Sequence, residues 1–248
     1  MALIPDVSQR RRSPELMDAP ELDDAEHELA LRGLIRINAF TDAVGLIWSP
    51  VRRFIRTAMR SAERAGQPPP ALRLLDLASG AGDVTTAIAY RASQANYNLA
   101  VSGCDLSPCA VRFAQLEAER YHLPVVYSER NVLSEPLPAG FDIITCSLFL
   151  HHLDESDAVK LLAAMKAAGP RLIVLQDLCR SRWGYLLATW GTKLLTRSKV
   201  VHVDAGLSVE GAFTRGEMQA LADEAGLTGA RVVPHWPARL VLTWEAPA

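Results

Sequence analysis

The sequence predicts an α/β fold: a parallel sheet covered by helices on both faces and closed by an antiparallel hairpin. Three observations carry this. Short apolar runs alternate with helical patterns between Arg73 and Leu175, the signature of a parallel sheet. An acid stands at the end of each of the first two runs, in Leu74-Leu75-Asp76-Leu77-Ala78-Ser79-Gly80-Ala81-Gly82-Asp83 and in Val101-Ser102-Gly103-Cys104-Asp105. Near the end, Ala230–His235 and Arg239–Trp244 read as strands whose connection is too short for a crossover helix, so they pair antiparallel.

Taken in order, residues 1–13 read as a flexible tail, with Arg10-Arg11-Arg12 as a solvated basic cluster. Residues 14–70 read as a helical cap. Leu29, Leu31, Leu34, Ile35, Ile37 and Phe40 recur at three- and four-residue spacing, and Gln67-Pro68-Pro69-Pro70 ends the helices in a stiff connector. The main domain is expected over 71–248. Its strands are placed at Arg73–Leu77, Leu99–Cys104, Val125–Tyr127, Phe141–Cys146 and Leu172–Leu175, and its helices at Val84–Ala92, Pro108–Tyr121 and Ser156–Ala168. An insert at 180–213 breaks the rhythm. It holds an aromatic, leucine-rich helix, Trp183–Leu195, and then a polar loop to Thr214. A helix at Arg215–Ala225 precedes the hairpin.

Composition narrows the function. The chain has 248 residues, 49% of them apolar and 22% charged, an ordinary globular balance. A net charge of -2 gives no basis for electrostatic capture of nucleic acid. Cys104, Cys109, Cys146 and Cys179 lack CxxC spacing and lie in or beside core elements, so reduced buried thiols are expected. The first fifteen residues contain no apolar leader core, and no apolar run is long enough to span a bilayer. A cytoplasmic protein without an integral membrane segment is expected.

The loop after the first strand carries the chemistry. Small residues let the backbone approach a ligand closely, and free amides at the following helix start face it. Asp105, about 23 residues beyond Gly82, stands where an acid accepts hydrogen bonds from both ribose hydroxyls of an adenosine. A dinucleotide fingerprint that begins at Gly80 and Gly82 requires its third glycine where this chain has Thr85. Asp76 is awkward beside a pyrophosphate but suits an ammonium or sulfonium. These features favour S-adenosyl-L-methionine over NAD.

From about Leu72 onward the chain resembles the class I S-adenosylmethionine-dependent methyltransferases of small-molecule type. The resemblance rests on LLDLASGAGD, GCDLS, FDIITCSLFLHHL and RLIVLQDL, in the family's order and spacing. It implies a Rossmann-like seven-stranded sheet with the last strand antiparallel, and a cofactor across the carboxyl ends of the first strands. It further implies that Asp76 and the Ala78, Ser79, Gly80 and Gly82 backbone hold the methionyl end, and that Asp105 takes the ribose. Leu106 would cover one adenine face, Asn131 would accept from the adenine amine, and Val132 and Ser147 would complete the site. Ala78 and Ser79 depart from the family's usual residues, but both are small.

For transfer to a hydroxyl, a general base is expected at His151 or His152, which follow the fourth strand. His152 is the first choice, with Asp177, at the end of the fifth strand, orienting it. Small-molecule methyltransferases with a histidine pair and a later acid look similar here. No metal is expected, because the acid and Asp-Asn places of catechol-type enzymes hold His151-His152 and Asp177-Leu178. The apolar band of Trp183–Leu195 is expected to be buried, either as a lid or acceptor-pocket wall against Leu34, Asn38 and Phe40 or as plain core packing. The acceptor is expected to be small, aromatic or lipophilic and O-methylated, and the protein a homodimer. An NAD-dependent oxidoreductase or a non-catalytic cofactor-binding subunit are the competing readings.

Overall fold

The computed structural model describes residues 5–19 and 22–247. Two helices, α1 (Asp24–Phe40) and α2 (Ala43–Arg64), precede the sheet. They are split at Asp42, which adopts a left-handed backbone and caps α2 by accepting from the Gly45 amide. The alternating core follows: β1 (Leu72–Leu77), α3 (Asp83–Gln94), β2 (Leu99–Asp105), α4 (Pro108–Arg120), β3 (Val126–Glu129), β4 (Ile143–Ser147), α5 (Glu155–Ala167) and β5 (Leu172–Leu178). Helices α6 (Arg182–Leu195), α7 (Lys199–Gly211) and α8 (Arg215–Glu224) lead to β6 (Arg231–His235) and β7 (Arg239–Glu245).

The seven strands lie in the order β3-β2-β1-β4-β5-β7-β6. β1 to β5 are parallel, and β7 runs antiparallel to both β5 and β6. Because the strands of a parallel sheet are buried on both faces, alternate residues of one strand enter different cores. Leu75 and Leu77 pack with α5 and α8 through Leu161, Leu162, Met165 and Met218. Leu72 and Leu74 pack with α2 and α3 through Ile47, Val51, Ile55 and Ile88. The strand order reverses between β1 and β4, which opens a crevice at their carboxyl ends, the place where open α/β sheets bind ligands. Among the described residues, no helix is long and apolar enough to cross a membrane.

Three expectations are corrected. The segment expected as a flexible tail is tied down from residue 7. Arg180 Nε donates to the Val7 carbonyl at 3.1 Å, and Arg10 Nε donates to the Gly211 carbonyl at 2.7 Å. Arg10 also donates to the Leu153 carbonyl and lies 3.8 Å from the centre of the Phe213 ring, while Arg12 pairs with Asp154 at 2.7 Å. Arg10 therefore clamps the loop after β4, and Arg12 joins it from the surface, while Arg11 stays exposed. The expected polar loop before Thr214 is instead helix α7. Ser198 caps it by accepting from the Val201 amide, and Val200, Val201, Ala205 and Val209 bury one side. A valine-rich segment has weak helix propensity; packing on α1 and α6 overrides it. Lastly, α6 is not buried all round: Trp183, Trp190 and Leu194 are 69%, 66% and 89% exposed. Its other side, with Ala188, Gly191, Thr192 and Leu195, faces inward.

Candidate active site

At the carboxyl end of β1 the chain turns sharply through Ala78, Gly80 and Gly82, all at positive φ. Gly80 needs this freedom for its backbone. At Gly82 a side chain is excluded as well, since a Cβ there would lie 2.6 Å from both Ala114 Cβ and the Tyr127 hydroxyl. A Cβ at Gly80 would meet nothing within 4 Å, so the loop's outer surface is open to a ligand. Asp105 braces the loop: its two oxygens accept from the Gly80 amide at 2.8 Å and the Ser107 amide at 2.9 Å. The Ser79 and Ser147 hydroxyls at the same strand ends are buried, with no partner among the described residues. A loop that admits close approach, beside two orphaned hydroxyls, fits S-adenosylmethionine.

Asp76 takes a different place from the one expected. It is 1% exposed and lies beneath the loop, where its carboxylate accepts from the Thr85 hydroxyl and, at 2.7 Å, from the Thr145 hydroxyl. Burial pushes its pKa up to about 6 against the opposing effect of those two hydroxyls. Thr85, the residue that spoils a dinucleotide fingerprint, is thus one of the two donors that hold the buried acid. Asp83, at the start of α3, is also raised by burial, and Asn38 Nδ2 of α1 donates to it at 3.1 Å. The Asn131 side-chain carbonyl accepts from the Leu133 amide at 3.0 Å, as short polar side chains do at turns. Val132 sends its side chain into the hydrophobic core. Leu106 remains largely exposed beside β2.

A second space adjoins this cleft. It is a chamber of about 360 Å³ walled mainly by apolar side chains of α1, α6, α7 and the β6–β7 turn, among them Leu34, Ile37, Leu187, Leu195, Val209 and Pro237. His151 and His152 enter it from the short helical turn that follows β4. Asp177 orients His151, not His152 as expected. Its carboxylate meets His151 Nδ1 at 2.6 Å and accepts from the His151 amide at 3.0 Å. The physical reason is the turn itself, which points the His151 amide and ring together at the end of β5. Burial alone would raise the Asp177 carboxyl, but His151 and the backbone amides hold it below the ordinary carboxylate range. The His152 ring lies 4.2 Å from that of His151, centre to centre, and packs beside Phe149.

The structure also brings in residues that the sequence did not single out. Glu15 Oε1 lies 3.7 Å from His151 Nε2 and 4.0 Å from His152 Nδ1, and accepts from the Ser208 hydroxyl at 2.7 Å. Asp204 of α7 holds the neighbouring Leu16 and Met17 amides at 2.8 and 3.0 Å. Arg239, 3% exposed, lines the chamber from β7. An isolated acid in a tail and an arginine in a strand carry no local pattern that marks them. Of the other histidines, His202 meets the Thr196 carbonyl at 3.0 Å, and His235 is exposed.

A family model described as a methyltransferase domain matches residues 74–168. The chain is 34% identical over 124 residues to the demethylmenaquinone methyltransferase of Thermus thermophilus, covering 49% of this chain and 54% of that one. It is 27% identical over 180 residues to the ubiquinone biosynthesis O-methyltransferase of Bordetella parapertussis, covering 70% of each. The chain thus spans about half the length of the first relative and more of the second. Among solved structures, the S-adenosylmethionine-dependent methyltransferase SibL shares the fold with a TM-score of 0.56 at 20% identity, over 81% of this chain and 56% of that one. A SAM-dependent methyltransferase from Aquifex aeolicus aligns with a TM-score of 0.52 at 17% identity, over 79% and 97%.

Proposed function

Because the chain belongs to the class I S-adenosylmethionine-dependent methyltransferases, we propose that it O-methylates a small, lipophilic, ring-bearing acceptor in the cytoplasm. The observation that carries this reading is the buried His151–Asp177 pair, 2.6 Å apart, in the wall of an apolar chamber beside the cofactor cleft. The relatives' names, which refer to demethylmenaquinone and to ubiquinone biosynthesis, support a lipophilic ring. The four free cysteines are buried or half-buried, which suits a reducing compartment.

When bound, S-adenosylmethionine supplies the methyl group on a sulfonium and most of the reactivity. The chain supplies the rest. Ser79, Ser147 and the loop from Ala78 to Gly82 hold the cofactor, with Asp105 bracing the loop. The chamber walls exclude water and keep an acceptor hydroxyl at attack distance, an advantage of several kcal/mol. Asp177 fixes the proton on His151 Nδ1, which leaves Nε2 as the atom that takes the hydroxyl proton. A phenol has a pKa of about 10, so this removal is worth roughly 10²–10⁴-fold at neutral pH. Glu15, 3.7 Å from Nε2, stabilises the resulting imidazolium.

The test is transfer of labelled methyl from S-adenosylmethionine to a panel of hydroxylated lipophilic rings and their amine counterparts. Label on ring oxygen, with S-adenosylhomocysteine released in equal amount, is the expected outcome. Transfer to the amines alone overturns the reading.

A further inference from the structure

Arg239 is the unexplained charge of the chamber. Its side chain is buried, and its Nη2 donates to the Thr41 hydroxyl at 3.1 Å. Nε and Nη1 are buried with no hydrogen-bond partner among the described residues, although a guanidinium offers five donors. No carboxylate lies within ion-pair distance of it among the described residues. Asp177, the nearest charge that acts on it, is already committed to the His151 ring and amide and to the Leu178 amide. Burial lowers the Arg239 pKa to about 10, which leaves the group charged at neutral pH. A buried cation without a counter-charge costs several kcal/mol, and such groups in proteins are paired.

The sheet register sets the face on which the arginine lies. Leu178 pairs with Arg239, and Gln176 pairs with Val241, so Gln176 and Arg239 emerge on the same sheet face. Gln176 is fully buried, and both of its amide atoms also lack partners among the described residues. Asp177, between Gln176 and Leu178, emerges on the opposite face, where it holds His151. The two faces therefore deliver different chemistry to one chamber: a proton acceptor from one and an unused cation from the other.

We propose that Arg239 binds a carboxylate on the methyl acceptor, so that the acceptor is a hydroxylated lipophilic acid. This rests on the chamber being the acceptor site. The carboxylate neutralises the guanidinium through the donors that are unpaired, and the apolar walls strengthen the attraction by excluding water. Held at that end, the acceptor has only a limited set of orientations for its hydroxyl toward His151. Arg239 is thus a specificity residue that touches substrate but not the reacting atoms.

The experiment is titration calorimetry on the full chain saturated with S-adenosylhomocysteine, so that no turnover is needed. The probes are 4-hydroxybenzoate and 6-hydroxy-2-naphthoate, each compared with its methyl ester. Wild type is expected to bind the acids about tenfold or more tighter than the esters, the yield of one charge-assisted hydrogen bond. Arg239→Gln should equalise the two and Arg239→Lys should keep part of the preference. Arg239→Met, which removes an unpaired buried charge, should melt no lower than wild type without ligand. Equal affinity for acid and ester in wild type, a preference that survives Arg239→Gln, or a markedly lower melting temperature for Arg239→Met each overturn the proposal. If the acid preference holds but no ring hydroxyl is ever methylated, O-methylation fails and this assignment stands. If neutral rings are methylated with no acid preference, the reverse is true.

Discussion

The cofactor cleft and the acceptor chamber share one crevice but are built in opposite ways. The cleft is built on the turn between β1 and α3 with the ends of β2 and β4 beside it, and its charged groups are satisfied from within: Asp76 by Thr85 and Thr145, Asp105 by the Gly80 and Ser107 amides. The chamber draws on residues from Glu15 to Arg239, and it keeps polar groups unsatisfied in Arg239 and in Asn38 Oδ1. The cleft settles its charged groups within the fold and leaves two neutral hydroxyls, Ser79 and Ser147, for a ligand. The chamber leaves a charged group, Arg239, without a counter-charge. The cleft is therefore the stiffer half, and changes there should show in stability, whereas changes in the chamber should show in turnover.

The sharpest break of that comparison is His151→Ala. Turnover should fall by about 10²–10⁴-fold while cofactor affinity stays within a few-fold, because in the proposed reaction the ring takes the hydroxyl proton and does not hold the cofactor. Asp177→Asn should fall in the same direction, and His152→Ala much less. Steady-state kinetics beside cofactor titration checks this, and an equal loss in the two histidine variants would remove the distinction between them.

Next in size is a pH effect in the cleft. The folded-state pKa of Asp76, about 6, lies above its ordinary value of 3.8. Between those values the folded protein holds more protons than the unfolded one, so its stability falls as pH rises from about 4 to 6 and stays reduced above. The full contribution is on the order of 3 kcal/mol. Denaturant unfolding of the cofactor-free protein at pH 4 and pH 7, against Asp76→Asn, isolates it. The variant should lose that part of the pH dependence, and an unchanged difference would show that Asp76 does not titrate there.

The smallest effect is expected at Ala78. It sits at φ 50°, a left-handed conformation that costs a residue with a Cβ on the order of 1 kcal/mol. Ala78→Gly should raise the melting temperature by a few degrees without touching acceptor selectivity. A lower melting temperature would mean that the Ala78 side chain contributes packing that outweighs the strain.

How much of this was legible in the sequence follows the same division. The β1 loop, the alternation of strands and helices, the closing hairpin and the presence of a histidine pair at the end of β4 are written in residues close together in the chain. Apolar period, small-residue turns and connection length decide them locally. The insert was legible only in part: Trp183–Leu195 reads as a helix, but which side it buries depends on what packs there, and α7 becomes helical because α1 and α6 cover its valines. The tail around Arg10 reads as solvent-exposed until the carbonyls of Leu153 and Gly211 stand within reach of it.

The sequence by itself determined the fold class and the small-residue turn after β1, since each follows from short-range pattern, but not that Asp76 would be buried beneath that turn against Thr145. The tertiary structure alone decided that Asp177 serves His151, 26 residues away, that Glu15 reaches both histidines, and that Arg239 is buried without a counter-charge. Hydrogen bonds and burial of single polar side chains depend on distance in space, and no local period in a chain records which distant residues will meet.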